Sequence, residues 1–164
     1  MEFYTTVESP LGLLTLVSDG EALTGLYLPG QNYNPGDRVR RQDIPAFLEV
    51  SQWLRAYFAG NFRPVTFSVK PGGTAFQLRV WDILRTIPPG RTRTYGSIAR
   101  EISGTMSPQA VGGAVGRNPI SIIIPCHRCV GAGGKLTGYA GGLENKKWLL
   151  NHEQINNSQS ERRE

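Results

Sequence analysis

The stretch that most constrains the fold is a mainly apolar run that ends at a proline and is followed at once by a cysteine and a histidine. Residues 120–124 are mostly β-branched, which favours extended backbone, so we predict a short buried strand there. Pro125 lacks an N–H group and has a fixed φ, so it ends the strand and orients Cys126 rigidly. The pattern therefore predicts a thiol held in an apolar wall with His127 beside it.

Such a thiol can be a nucleophile if a neighbouring group takes its proton. The thiolate is the reactive form, and a free cysteine has a pKa near ~8.5. His127 can accept the proton directly or through one water, and a carboxylate can orient the imidazole and balance its charge. Spacing alone does not choose among Glu101, Glu144 and Glu153 for this carboxylate.

Other interpretations of Cys126 are a buried apolar side chain, a metal ligand or half of a redox pair with Cys129. A structural zinc site needs about four ligands, and the two cysteines with His127 would make a crowded, incomplete set. A redox pair belongs in a thioredoxin-like βαβ unit, for which this half of the chain shows no pattern. We therefore favour a nucleophilic thiol, with no metal and no cofactor.

The first half of the chain has the pattern of a small sheet with one helix. Turn residues separate three strand-like segments, and apolar residues then recur at helical spacing. The expected elements are strands over Phe3–Val7, Leu13–Val17 and Ala22–Leu28, a polar surface loop over 29–43, an amphipathic helix over Pro45–Ala59 and a short strand over 65–69.

The second half is mainly helical. Capping residues and apolar stripes predict helices from Thr74 to Ile87, Tyr95–Ile102, Pro108–Arg117 and Leu143–Asn151, with a glycine-rich loop over 130–142. The two middle helices flank Gly104 and form a helix-turn-helix candidate. Three glycines on the second of them indicate either tight helix packing or close approach to DNA.

Bulk properties limit the class of protein. The net charge is +5, and from Thr74 to Glu153 ten Arg or Lys stand against four Asp or Glu, so this half either meets a polyanion or presents a solvated basic face. Two closely spaced cysteines exclude a disulfide framework, and no apolar run is long enough to span a bilayer, which predicts a cytoplasmic protein. We expect domains over 1–73 and 74–154 and a disordered tail over 155–164.

Read with its surroundings, Pro125-Cys126-His127-Arg128 closely resembles the O6-alkylguanine-DNA alkyltransferases (methylated-DNA–protein-cysteine methyltransferases). The resemblance is strong over residues 74–153 and holds in outline before them. The matching motifs are Phe76-Gln77 to Val80-Trp81, Ile87-Pro88 with Gly90, Thr94-Tyr95-Gly96, Ala110-Val111-Gly112, Asn118-Pro119, Ile124 to Arg128, Gly138-Tyr139 with Gly141-Gly142, and Trp148-Leu149-Leu150 to Glu153.

The resemblance implies an α+β fold, with a ribonuclease H-like N-terminal sheet and helix and a winged-helix-like C-terminal domain. It implies direct DNA repair: the helix-turn-helix binds duplex DNA in the minor groove, the damaged base is flipped out, and Cys126 takes the alkyl group. The alkyl group would come from O6 of guanine, and from O4 of thymine, in a single turnover by a monomer that binds DNA with or without cooperativity.

The resemblance also assigns roles to residues. Cys126 is the acceptor, and His127 and a water pass its proton towards Glu153. Asn118 holds the turn between the recognition helix and the active-site strand, and Tyr95 assists flipping and helps to protonate the leaving guanine. The implied DNA-binding residues are Thr94, Tyr95, Ser97, Gln109, Ala110, Gly112, Gly113, Arg117 and Arg128, and the implied substrate pocket is Val115, Cys129, Tyr139 and Ala140.

Two positions depart from the family pattern. Gln109 stands where the family usually has an intercalating arginine, and Cys129 stands where an aliphatic residue is usual. The alternative functions are a DNA-damage recognition or regulatory module without efficient transfer, which Gln109 favours, and a cysteine hydrolase built on Cys126, His127 and Glu153. Relatives of the first kind lack the acceptor cysteine, and no oxyanion site supports the second. The chain has no cysteines in its first half, so the structural zinc of some relatives is expected to be absent.

Overall fold

The computed structural model describes residues 1–31 and 33–163. Asn32, in the expected loop, and Glu164, in the expected tail, lie outside the described residues. The chain divides into two compact units, Met1–Gly72 with Pro119–Ser121, and Gly73–Asn118 with residue 122 onward. The expected domain boundary falls one residue from this division, whereas the placement of 119–121 in the first unit was not anticipated. Within the described residues, no helix is both long and apolar enough to cross a membrane.

The first unit is a four-stranded sheet with one helix. Its elements are β1 (Phe3–Ser9), β2 (Gly12–Ser18), β3 (Leu23–Tyr27), β4 (Val39–Arg40) and α1 (Pro45–Phe58), with sheet order β3-β2-β1-β4. The first three strands form an antiparallel meander, and β4 is parallel to β1. Phe47, Val50, Leu54 and Tyr57 form the buried face of α1, as their spacing predicts. The meander and helix expected from the sequence are confirmed.

Two segments of this unit differ from expectation. β4 lies within the expected loop, where two exposed residues, Val39 and Arg40, pair with Phe3 and Tyr4. A two-residue strand is too short to show alternation. The strand expected over 65–69 is reduced to one bridge between Val69 and Leu23. Prolines flank this segment at 64 and 71, and they remove donors that a longer ladder would need.

The second unit is mainly helical. It contains α2 (Ala75–Leu84), β5 (Arg93–Thr94), α3 (Tyr95–Ile102), α4 (Pro108–Gly116), β6 (Cys129–Val130) and α5 (Leu143–Arg163), and β5 pairs with β6 in parallel. Thr74, Thr94 and Ser107 each cap a helix with a side-chain oxygen, and Thr74 with Gln77 forms a complete capping box. The helix-turn-helix is therefore α3, a turn over 103–107, and α4.

The last helix continues well past the predicted end at Asn151, so the expected disordered tail is wrong for residues 155–163, which are helical. From Leu143 to Arg163 the sequence contains neither glycine nor proline, so nothing ends a helix that has already nucleated. Asn157 also packs closely on the turn at Gly90, where a Cβ would lie 2.6 Å from its side-chain nitrogen. Gly90 has φ +84°, so both its backbone and its surroundings favour glycine.

Candidate active site

The segment before the cysteine is a buried turn, and the strand predicted over 120–124 is wrong. Only Ile120 makes a bridge, to Leu26, and the backbone then turns with Ile122 at φ 71°. This left-handed conformation is strained for a β-branched residue. The Asn118 side-chain amide donates to the Ile124 carbonyl at 2.8 Å and closes the turn.

Pro125 sets the direction of the cysteine through a tight turn. Its φ of −81° and ψ of 66° are those of an inverse γ-turn, in which the Cys126 N–H donates to the Ile124 carbonyl at 2.7 Å. One 3₁₀ turn, Cys126–Arg128, then leads directly into β6. Cys126 is held by tight backbone turns, and the strand that the sequence predicts before it does not form.

Cys126 lies in the wall of a cavity of about 950 Å³ in the second unit. This volume is in the range of ligand-binding pockets. Residues of α3 and of one face along α4 form one side of the cavity, and the glycine-rich loop that follows β6 forms the other. The cavity is lined by eight of the predicted site residues, namely Thr94, Tyr95, Gln109, Gly112, Val115, Cys126, Tyr139 and Ala140.

The surroundings of Cys126 act on its thiol in opposite directions. Burial raises the pKa of the thiol, because a thiolate is poorly solvated there. Hydrogen bonds from Asn118 and Tyr139 and the positive charge of Lys146 lower that pKa. Ionisation of Cys126 is therefore opposed by burial and aided by a fixed set of donors and one cation.

Next to the cysteine lies a buried cluster formed by His127, Arg128 and Glu153. His127 Nε2 is 2.6 Å from Glu153 Oε2, and both side chains are almost completely buried. Arg128 donates to both oxygens of the same carboxylate, from Nε at 2.7 Å and from Nη2 at 2.9 Å. Burial opposes ionisation of Glu153, but His127 and Arg128 together hold its pKa well below its usual range.

This buried cluster determines which nitrogen of His127 can act as a base. Burial lowers the pKa of His127, although Glu153 opposes the shift, so the imidazole is neutral near pH 7. Because the ionised Glu153 only accepts hydrogen bonds, the single ring proton belongs on Nε2. The lone pair on Nδ1 then has no hydrogen-bond partner among the described residues and can receive a proton.

Two sequence assignments are corrected by burial. Arg128 was expected to bind DNA, but it is 7% exposed and its guanidinium is bound by Glu153 and, at 2.5 Å, by the Ile87 carbonyl. It orients the carboxylate. Cys129 was expected to line the pocket, but it is fully buried at the start of β6 and is not among the cavity-lining residues. Burial raises the pKa of Cys129 to about 12, which makes it a poor nucleophile.

Sequence reasoning missed Lys146, which is fully buried on α5. Its ammonium group donates to the carbonyls of Cys129, Thr137 and Gly138 at 2.7, 3.1 and 3.4 Å, and so ties the start of β6 to the cavity loop. It also lies 5.9 Å from the centre of the Tyr95 ring. The signal in the sequence is spacing: Lys146, Leu149 and Glu153 lie on one face of α5, and all three are buried.

The remaining predicted residues surround the cavity. Tyr95 is half-buried, burial raises the pKa of its phenol, and its hydroxyl donates to the Thr137 carbonyl at 3.4 Å. Ser97 lies in the first turn of α3, where its backbone N–H donates to the capping oxygen Oγ1 of Thr94 at 3.0 Å. Three residues predicted to bind DNA, Ala110, Gly113 and Arg117, are exposed on or just after α4 and do not line the cavity.

The glycines of α4 do not all serve helix packing. A Cβ on Gly113 or Gly116 would meet no atom within 4 Å, and one on Gly112 would make ordinary contact with the Tyr95 ring at 3.8 Å. Tight helix packing is therefore wrong as an explanation for Gly113 and Gly116, the two outer glycines. Their exposed face leaves the backbone of α4 accessible.

The fold and the site together define a class of protein: a cysteine nucleophile, supported by a base and a carboxylate, in a cavity bounded by a helix-turn-helix. The comparisons with known proteins agree. Residues 75–155 match the DNA-binding domain of 6-O-methylguanine DNA methyltransferase, and residues 3–71 match its ribonuclease-like domain. The chain belongs to the methylated-DNA–protein-cysteine methyltransferase family.

Relatives match over nearly the whole chain. Methylated-DNA–protein-cysteine methyltransferase of Mycolicibacterium paratuberculosis is 47% identical over 90% of this chain and 89% of the relative. The protein of the same name from Haemophilus influenzae is 44% identical, over 93% and 87%. Among solved structures, Mycobacterium tuberculosis OGT in complex with DNA has a TM-score of 0.86 and 45% identity, and the match covers 94% of each chain.

Proposed function

We propose that the protein repairs DNA directly by moving an alkyl group from O6 of guanine to Cys126, once per molecule. The observation that carries this function is the thiol in the cavity wall with the His127–Glu153 pair next to it. The sulfur forms a bond to the alkyl carbon as the carbon–O6 bond breaks. The thiol proton passes to Nδ1 of His127, directly or through one water, and the resulting imidazolium is stabilised by Glu153.

The leaving guanine needs a proton, and we assign Tyr95 as the proton donor. Its phenol lines the cavity, and burial raises its pKa, which keeps it protonated at neutral pH. Asn118 and Tyr139 stabilise negative charge on sulfur, and Val115 and Ala140 provide wall contacts for the base. O4-alkylthymine is a second proposed substrate, by the family resemblance alone.

Duplex DNA is the proposed partner, and the exposed face of α4 is the proposed contact. Gln109, Ala110, Gly113 and Arg117 lie on it or just after it, and the outer glycines let a DNA backbone approach closely. A base flipped from the duplex would enter the cavity beside this helix. We also place the protein in the cytoplasm, because a free acceptor thiol must stay reduced.

Intact-mass measurement tests the function. After incubation with excess duplex containing one O6-methylguanine, we expect a gain of one methyl group per protein molecule, mapped to the Cys126 peptide. Cys126→Ser should show no gain, whereas the matched change Cys129→Ser should keep it. Retained DNA binding without any gain in mass would instead favour the damage-recognition module, and repeated ester turnover would favour the hydrolase.

Gln109→Arg is expected to increase affinity for duplex DNA. Gln109 is exposed in the first turn of α4 at the cavity rim, and an arginine there adds one cation that can release a DNA counterion. One such contact should lower the Kd about five- to tenfold at ~0.1 M salt. Fluorescence anisotropy measures it, with Gln154→Arg, exposed on α5, as the equal-charge control. Unchanged or weaker binding would count against the assignment of α4.

A further inference from the structure

One charged side chain lies among the described residues that line the cavity. It is Arg100, and the other described lining residues are small, apolar or neutral polar. Arg100 is exposed near the end of α3 and has no ion pair or hydrogen bond to any of the described residues. By contrast, the neighbouring Arg93 is held by Glu101 at 2.7 Å.

The direction of the Arg100 side chain is set by a glycine one turn earlier. Its Nη1 atom lies 3.3 Å from where a Cβ on Gly96 would be, and Pro108 lies 4.0 Å from the same point. Long side chains on a helix lean towards its N-terminus, so Arg100 lies over Gly96, four residues before it. The guanidinium thus occupies the notch between the first turns of α3 and α4.

This placement argues against a purely structural role. A basic residue in the last turn of a helix stabilises the helix dipole when its charge lies near the terminal carbonyls. Arg100 is in the last turn of α3 by sequence, but its guanidinium lies back at the first turn. The charge is therefore directed towards the rim of the cavity and away from the end of its own helix.

We propose that Arg100 binds a phosphate of the alkylated strand at the cavity rim and supplies there the positive charge that Gln109 lacks. The inference rests on the proposed function. A nucleotide turned into the cavity brings its flanking phosphates to the rim, and a guanidinium binds phosphate oxygens in a bidentate manner. Gln109, Gly96 and Pro108 line the same edge and add no charge. Arg100 is thus a positioning residue for the DNA strand.

The salt dependence of binding tests this role. Arg100→Gln should weaken binding of duplex containing O6-methylguanine about five- to tenfold at ~0.1 M salt. It should also make log K fall less steeply with log salt, with the magnitude of the slope reduced by about 1. Arg100→Lys keeps the charge and should restore the slope. Arg79→Gln removes an equal charge from an exposed site on α2 that does not line the cavity, and it should lower affinity less.

A second readout separates this inference from the proposed function. The rate of alkyl transfer from duplex, divided by the rate from free O6-benzylguanine base, should fall in Arg100→Gln, because the free base has no phosphates. The role of Arg100 would be overturned by a salt slope unchanged in Arg100→Gln or by an equal effect of Arg79→Gln. It would also be overturned if Arg100→Gln had a lower Tm and lost the same fraction of its transfer rate on duplex and on free base. If the wild-type protein transferred no alkyl group at all, the proposed function would fail, while the binding slopes would still decide the role of Arg100.

Discussion

Glu153→Gln is expected to lower the free energy of unfolding by about 3–5 kcal/mol, the usual effect of removing one partner from a buried ion pair. Glu153 accepts from His127 and doubly from Arg128, all within a buried cluster. A neutral amide offers one acceptor oxygen, so the Arg128 guanidinium would lose half of its bidentate partner. Urea denaturation with and without the substitution measures the change.

The matched control for this variant is Glu144→Gln. Glu144 lies in the first turn of the same helix and is exposed, so its loss removes only a helix-dipole interaction of about 0.3–1 kcal/mol. Equal effects of the two substitutions would contradict the role of the buried cluster. The Glu153 variant should also slow alkyl transfer, since the imidazolium of His127 would lose its counter-charge.

The ion pair of Glu153 with Arg128 also makes the stability of the folded protein depend on pH. The pKa of Glu153 is lower in the folded protein than its usual value near ~4.3. A carboxylate with a depressed pKa contributes stability that is fully present above the unfolded pKa and is lost as the pH falls towards the folded pKa. The wild-type protein should therefore lose stability below about pH 4, and the Glu153→Gln curve should be flatter there.

Short sequence patterns correctly predicted the helices that begin at a capping residue. The capping residues Thr74 and Ser107 mark the starts of α2 and α4, as expected. The prediction failed at residues 120–124, where β-branched side chains favour a strand but the structure has a turn with Ile122 at positive φ. The Asn118–Ile124 hydrogen bond holds that turn, and residue type alone does not reveal such a contact.

Site residues that are adjacent in the sequence could be predicted to act together, whereas distant ones could not. Cys126 and His127 are adjacent, so their chemistry could be inferred, whereas Glu153 was chosen among three acids only by resemblance. Arg128 was assigned to DNA by the resemblance, although a charged residue is seldom fully buried unless it is paired. Its burial depends on α5 bringing Glu153 to it across 25 residues, which no local pattern encodes.

Lys146→Met is expected to slow alkyl transfer at neutral pH by about tenfold or more, the effect of raising the pKa of a nucleophilic thiol by about one unit. The charge of Lys146 lowers the pKa of Cys126, and a thioether of similar length removes that charge. The single-turnover rate should therefore rise with pH over a higher range than in the wild-type protein. A pH–rate profile on free O6-benzylguanine base measures this shift without a contribution from DNA binding.

Loss of the lysine should also free the loop that carries Tyr139. Three carbonyls, at Cys129, Thr137 and Gly138, would lose their common donor, so amide hydrogen exchange over residues 137–142 should become faster. Lys147→Met is the matched control, because Lys147 is the next residue on α5 and is exposed. A pH profile unchanged in Lys146→Met, or shifted equally by Lys147→Met, would show that the buried ammonium group does not act on the thiol. A shift confined to Lys146→Met would make this lysine part of the machinery that ionises Cys126, together with Asn118 and Tyr139.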